Sequence, residues 1–262
     1  MNDLQTDALN VKLPGGRVYV NRWTPDADSG KPPIILLHES LGCVGLWRAF
    51  PAELAEATGR SVIAYDRLGF GRSDARNSMP SRQFIEEEAT RYFPALKEQL
   101  SLSRYALLGH SVGGGMAIHI AARDPDCQAV VTLSAQAFVE DRTLTGIRDA
   151  EQMFAQPGQM ARLEKWHGEK ASWVLRAWTD VWLSDAFRDW SLLPEIGRVR
   201  CPVLAIHGDR DEYGSAAFPD FIARHAAGPA DRLLLEDCGH MPHKEQPAAV
   251  IYAIRDFLDN LP

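Results

Sequence analysis

Six short apolar runs constrain the fold of this chain more than any other feature. They are Ile34-Ile35-Leu36-Leu37, Val62-Ile63-Ala64-Tyr65, Tyr105-Ala106-Leu107-Leu108, Ala129-Val130-Val131-Thr132-Leu133, Val203-Leu204-Ala205-Ile206 and Arg232-Leu233-Leu234-Leu235. Each is strand-length and mostly lacks polar alternation, as expected of strands buried on both faces. Longer stretches with helical spacing lie between them, at 47–58, 82–100, 113–123, 216–226 and 247–259. Strands alternating with helices imply βαβ units, hence an α/β chain with a parallel sheet. The opening differs: Leu9, Val11 and Leu13 alternate, Pro14-Gly15-Gly16 turns, and Val18 and Val20 alternate again. That pattern predicts an antiparallel hairpin. Pro94 should kink or shorten the second helix, because it has no N–H to donate.

One interval breaks the rhythm. Residues 136–195 contain no convincing strand, yet hold Trp166, Trp173, Trp178, Trp182 and Trp190 out of seven Trp in the chain. Val174, Trp178, Val181 and Trp182 recur at helical spacing. The interval reads as a helical insertion into a single core domain formed by 1–135 and 196–262. Trp178 and Trp182 are its candidates for lining an apolar substrate pocket.

Charge and cysteine content narrow the function classes. Lys and Arg total 28 against 35 Asp and Glu, a formal charge of −7, and no basic run occurs, which argues against a nucleic-acid partner. Cys43, Cys127, Cys201 and Cys238 form no CxxC pair and have no His at ligand spacing, so neither a disulfide framework nor a metal site is expected. No cofactor is expected either. The N-terminus has no apolar targeting segment, and no stretch approaches the ~18 apolar residues of a membrane span. A cytoplasmic protein with a small-molecule substrate is the expectation; the sequence is silent on oligomeric state.

Gly109-His110-Ser111-Val112-Gly113 follows a strand run and opens a helical one. A G-x-S-x-G in that setting has the context of a nucleophile elbow, a tight turn that exposes the serine. The following helix N-terminus directs N–H groups and positive dipole toward a developing oxyanion. A serine hydroxyl needs a base and an orienting acid. Ile206-His207-Gly208-Asp209-Arg210-Asp211 follows one later strand, and Cys238-Gly239-His240 follows the last. Both fall beyond strand C-terminal ends, where open α/β sheets carry their sites. His240 and Asp211 are the candidates, with His243 and Asp209 as rivals.

These motifs, with Leu36-Leu37-His38, Tyr65-Asp66-Arg67-Leu68-Gly69-Phe70-Gly71-Arg72-Ser73, Gly208-x-x-Asp211 and Gly239-His240-x-x-x-x-Glu245-x-Pro247, make the sequence similar to the α/β-hydrolase superfamily over nearly its whole length. The resemblance implies a mostly parallel eight-stranded sheet flanked by helices, with 136–195 as a helical cap. It favours Asp211 over Asp209 and His240 over His243. It also implies that Ser40 and Val112 supply the oxyanion-hole N–H groups. One departure stands out: relatives read His-Gly-x after the third strand, whereas this chain has His38-Glu39-Ser40. Glu39 either faces solvent or a structural Arg, or points into the pocket and biases substrate charge. His38, His110, Asp66, Arg67 and Arg72 read as structural, and neither Cys43 nor Cys238 occupies an elbow.

The chemistry implied is attack of Ser111 on a carbonyl, an acyl-enzyme, and hydrolysis by water activated through His240. A small or medium apolar carboxylic ester is the expected substrate. A C–C bond hydrolase of ring-fission products is the alternative, and needs a cap cation such as Arg162, Arg176 or Arg188. A non-catalytic small-ligand-binding protein is a third reading.

Overall fold

The apolar runs become strands. The hairpin is β1 (Gln5–Leu13) and β2 (Gly16–Thr24), followed by β3 (Ile34–Leu37), β4 (Val62–Tyr65), β5 (Tyr105–His110), β6 (Cys127–Leu133), β7 (Val203–Gly208) and β8 (Ala230–Leu235). The computed structural model describes residues 4–26 and 30–261. Its strands form one sheet in the order β1-β2-β4-β3-β5-β6-β7-β8. The six strands from β3 to β8 are mutually parallel, and the hairpin joins β4 antiparallel through β2. Leu13 pairs with Gly16, so the turn is Pro14-Gly15, with Gly15 at a φ of 97° that favours glycine.

Helices fill the connections. After a 3-10 turn at Val44–Trp47 comes α1 (Phe50–Thr58), then α2 (Phe84–Glu87), a π turn (Glu88–Tyr92), α3 (Phe93–Gln99) and α4 (Val112–Ala121). Between β6 and β7 lie α5 (Asp141–Phe154), α6 (Ala161–His167), α7 (Ala171–Trp182) and α8 (Leu193–Ile196). The chain ends with α9 (Ala217–His225), α10 (Pro242–Glu245) and α11 (Pro247–Asp259). The helix expected over 47–58 starts only at Phe50, because Arg48 takes a positive φ of 57° that no helix accommodates. The expected disturbance at Pro94 is the π turn just before it: Pro94 cannot donate to Thr90, and the widened turn absorbs the missing bond.

The lack of polar alternation in the strands follows from burial on two sides. Ile35, Leu37, Leu107, Val130 and Val203 face the helices carrying Phe93, Leu96 and Met116. Their neighbours Ile34, Leu36, Leu108, Val131 and Leu204 face Phe50, Leu54, Val250 and Ile254. Every parallel strand thus ends at one common edge with a layer of helices on each side, and the loops at that edge carry the site.

The segment between β6 and β7 docks on two of those loops by polar contacts. His167 accepts the Gly71 N–H at Nδ1 (2.9 Å) and donates from Nε2 to the Leu41 carbonyl (3.0 Å). Lys170 donates to the Gly71 carbonyl at 2.7 Å. Among the described residues, no helix is long and apolar enough to cross a membrane.

Candidate active site

The turn from β5 into α4 holds Ser111 at φ 54° and ψ −125°, a conformation that costs energy in any residue with a side chain. Close packing imposes it. A Cβ on Gly113 would strike the Leu37 carbonyl oxygen, and one on Gly109 would strike the Gly113 carbonyl oxygen. Gly113→Ala should therefore destabilise the protein by about 3 kcal/mol, read as a lower denaturant midpoint, because the obstacle is backbone that cannot yield.

Asp211, in the loop after β7, and His240, in the loop after β8, meet at this edge. The His240 Nδ1–H lies 2.9 and 2.8 Å from the two Asp211 carboxylate oxygens. Asp211 Oδ1 also accepts the Tyr213 N–H at 2.7 Å, which fixes the carboxylate plane. Burial alone would lower the imidazole pKa, but the Asp211 hydrogen bond and charge outweigh it and hold His240 above its ordinary 6.5. By the same pair, Asp211 stays below its ordinary value although burial opposes its charge.

The rival residues go elsewhere. Asp209 accepts the Cys238 N–H at 3.2 Å. His243 packs between Trp47 and Phe50, with ring centroids 4.9 and 5.5 Å away, and burial pushes its pKa down to about 2. Cys43 and Cys238 are pushed up to about 12 and about 11, first by burial, so both remain thiols near neutral pH.

Ser111 and His240 line one cavity of about 90 Å³, together with Glu39, Ser40, Gln136 and Met241. The Ser111 hydroxyl rests 3.3 Å from the Gln136 amide, and among the described residues it makes no hydrogen bond to His240. Thr143, Ile147, Trp178 and Trp182, from α5 and α7, and Tyr213 complete the walls. Trp178 meets Tyr213 edge-on at 5.7 Å, while Trp182 also packs at steep angles against Phe187 and Trp190, within the core cluster that reaches the sheet. Among the described residues, the N–H groups of Ser40 and Val112 are not taken up by any hydrogen bond. Arg162, Arg176 and Arg188 do not line the cavity; Arg176 pairs with Asp180 on the surface.

The loop after β3 is organised by His38 and Arg67. His38 donates from Nδ1 to the Glu39 carbonyl (2.8 Å) and accepts the Arg67 N–H at Nε2 (3.1 Å). Arg67 also donates to the Glu39 carbonyl at 2.9 Å. The Glu39 carboxylate reaches the cavity wall and lies 3.5 Å from His110 Nδ1, while His110 Nε2–H donates to the His240 carbonyl at 2.8 Å. Burial opposes the charge on Glu39, but the His110 hydrogen bond and charge outweigh it and hold the carboxyl well below its usual range. One buried imidazole therefore touches the loop of Ser40, the elbow of Ser111 and the loop of His240. Asp66 meanwhile accepts the Val44 and Arg72 N–H groups, as a turn-forming residue does.

Among the described residues, no group of three or more His, Cys, Asp or Glu is arranged to hold a metal ion. Gln136, Tyr213, Leu41 and Met241 enter the site without any signal in their local sequence.

The model of the alpha/beta hydrolase family matches residues 34–253. The chain belongs to the alpha/beta hydrolase family. As a member it is a hydrolase, and it shares more than the motif-bearing loops with its relatives. It is 24% identical over 273 aligned positions to a proline iminopeptidase of Lactobacillus helveticus, covering 88% of this chain and 91% of that one. It is 29% identical over 187 positions to the human serine hydrolase BPHL, covering 67% of this chain and 62% of that one. Among solved structures, the 2-hydroxy-6-oxo-6-phenylhexa-2,4-dienoate hydrolase of Rhodococcus sp. strain RHA1 superposes with a TM-score of 0.77 at 16% identity, covering 98% of this chain and 100% of that one. At that identity the likeness to this alpha/beta hydrolase is one of fold.

Proposed function

We propose that the chain is a serine hydrolase that cleaves a small or medium apolar carboxylic ester through an acyl-enzyme on Ser111. His240 takes the Ser111 proton, Asp211 holds the imidazole in the tautomer with Nε2 free, and the Ser40 and Val112 N–H groups receive the oxyanion. Water, deprotonated by the same histidine, then releases the acid. Residues 136–195 act as a cap that shapes the acyl pocket. The carrying observation is the shared cavity: Ser111 and a His240 locked to Asp211 open onto the same small, largely apolar space. The absence of hydrogen-bond partners for the Ser40 and Val112 N–H groups supports it further.

The walls of this cavity are largely apolar, which suits an apolar acyl chain. The C–C hydrolase reading needs a cap cation at the site, and Arg162, Arg176 and Arg188 do not line it. Likeness to proline iminopeptidases makes an N-terminal proline amide the competing acyl substrate. A panel of p-nitrophenyl butyrate, p-nitrophenyl octanoate, a proline anilide and a chromogenic ring-fission dienoate separates these readings. The butyrate should exceed each of the others in kcat/KM by about tenfold or more. Preference for the anilide or the dienoate would replace the ester assignment.

The pH profile follows from the raised His240 pKa. The base works only when neutral, so kcat/KM should rise with pH and level off above the folded-state pKa, placing the acid limb above 6.5. An acid limb below that value would contradict the assigned Asp211–His240 pair.

A further inference from the structure

Two cysteines far apart in the sequence come together at the opposite edge of the sheet. In the β6–β7 pairing Val130 stands beside Val203, and the same register carried back sets Gln128 beside Cys201. Strict alternation along β6 would put Cys127 with Ala129, on the other face from Val130. The β5–β6 pairing breaks that alternation: Tyr105 pairs with Cys127, but the next residue, Ala106, pairs with Ala129. Gln128 is the extra residue of a bulge, and bulges re-aim side chains. Cys127 is thereby turned onto the face of Val130 and Val203, against which Cys201 also packs. Both side chains pack in the same buried cluster, where the Cys127 thiol donates to the Ala129 carbonyl at 3.5 Å. Cys127 is one residue, about 3.3 Å, off the position opposite Cys201 on strands about 4.8 Å apart, a diagonal of about 5.8 Å that lies inside the Cα separation of about 4.4–6.8 Å that a disulfide spans.

The pair is reachable. Both residues line a groove of about 740 Å³ at the N-terminal ends of the parallel strands, beside Arg104, Arg198, Arg200 and Asp124. Cys201 is half-buried and Cys127 buried. Their roles are unequal: the interaction with Cys127 holds the more accessible Cys201 below the ordinary thiol value, while Cys201 and burial raise Cys127. Cys201 is thus the attacking thiol and Cys127 the resolving one.

We propose that Cys127 and Cys201 form a redox-active dithiol that closes to a disulfide when hydrogen peroxide enters this groove. The Cys201 thiolate attacks one peroxide oxygen, the O–O bond breaks, and the other oxygen leaves as hydroxide that is protonated to water. Cys201 is then a sulfenic acid. The Cys127 sulfur attacks the Cys201 sulfur, the S–O bond breaks, and the departing hydroxide takes up the Cys127 proton as a second water. Two thiols and one peroxide give one disulfide and two waters. The reaction is independent of the chemistry at Ser111.

Reduced full-length protein treated with hydrogen peroxide tests this without any substitution. Thiols counted after denaturation should fall from four to two. The intact mass should drop by about 2 Da, peptide mapping should join Cys127 to Cys201, and dithiothreitol should restore all four thiols. In Cys127→Ser the resolving sulfur is gone, so Cys201 should be trapped by dimedone as its sulfenic acid, while Cys201→Ser should retain its remaining thiols. Four thiols surviving in the unsubstituted protein, a bridge to Cys43 or Cys238, or no dimedone adduct on Cys127→Ser would overturn the proposal.

Discussion

Ser111→Ala should lower kcat for p-nitrophenyl butyrate by about a millionfold, with KM little changed. Substrate binding and the oxyanion N–H groups survive the substitution, so a residual acceleration of about a thousandfold over water should remain. The loss belongs to the chemistry and not to the fold. Ser111 already occupies a φ of 54°, its hydroxyl hydrogen-bonds among the described residues to the Gln136 amide alone, and alanine bears the same backbone cost. The variant should therefore melt close to the unsubstituted protein. A variant that melts normally and keeps more than about a hundredth of the activity would show that another group attacks the carbonyl.

Asp211→Asn should cost about ten-thousandfold in kcat. The Asp211 carboxylate accepts the Nδ1 proton of His240 through both oxygens, leaving Nε2 as the free base. An amide at this position is able to donate instead, which turns the imidazole to the Nε2–H tautomer and removes the base. The same substitution removes the hydrogen bond and charge that raise His240, so burial then dominates and the acid limb should move to lower pH. Asp209→Asn supplies the contrast. Its carboxylate serves the Cys238 N–H in the neighbouring turn, so activity should change by no more than about threefold and the pH limb should stay put. A large fall with Asp209→Asn and a small one with Asp211→Asn would exchange the two roles.

Local sequence reveals the elements of this fold because each is coded locally. A strand buried on two sides must be continuously apolar, so Ile34–Leu37 and Val62–Tyr65 are visible as letters, and so is the Pro14-Gly15 turn. The elbow is visible for the same reason: glycine on either side of Ser111 answers to backbone packed within a few residues of it, and to β3. The triad candidates required one further inference, that loops following parallel strands converge at one edge. Those loops do converge, and they bring Asp211 and His240 into contact.

What stays hidden is contact between residues far apart along the chain. Glu39 and His110 are 71 positions apart, and His167 reaches Leu41 across 126. Neither pairing leaves a local pattern: the letters of the loop allow Glu39 to face solvent or the pocket, and only the fold sets its carboxylate between His110 and the cavity. The cavity's further walls are as silent: Gln136 is the third residue past the end of β6, and Tyr213 stands two residues after Asp211 for no compositional reason. The thiol pair at Cys127 and Cys201 depends on a one-residue bulge, which hydrophobic patterning does not register. Trp178 and Trp182 stand between these cases, since helical spacing put both on one helix and only the fold brings both to the cavity.

The central claim, that Ser111 is a nucleophile activated by His240, is tested most directly by a fluorophosphonate probe read by intact mass and peptide mapping. One adduct per chain is expected, located on Ser111, absent in Ser111→Ala and strongly slowed in Asp211→Asn. No adduct on a correctly folded protein, or an adduct on another residue, would contradict it.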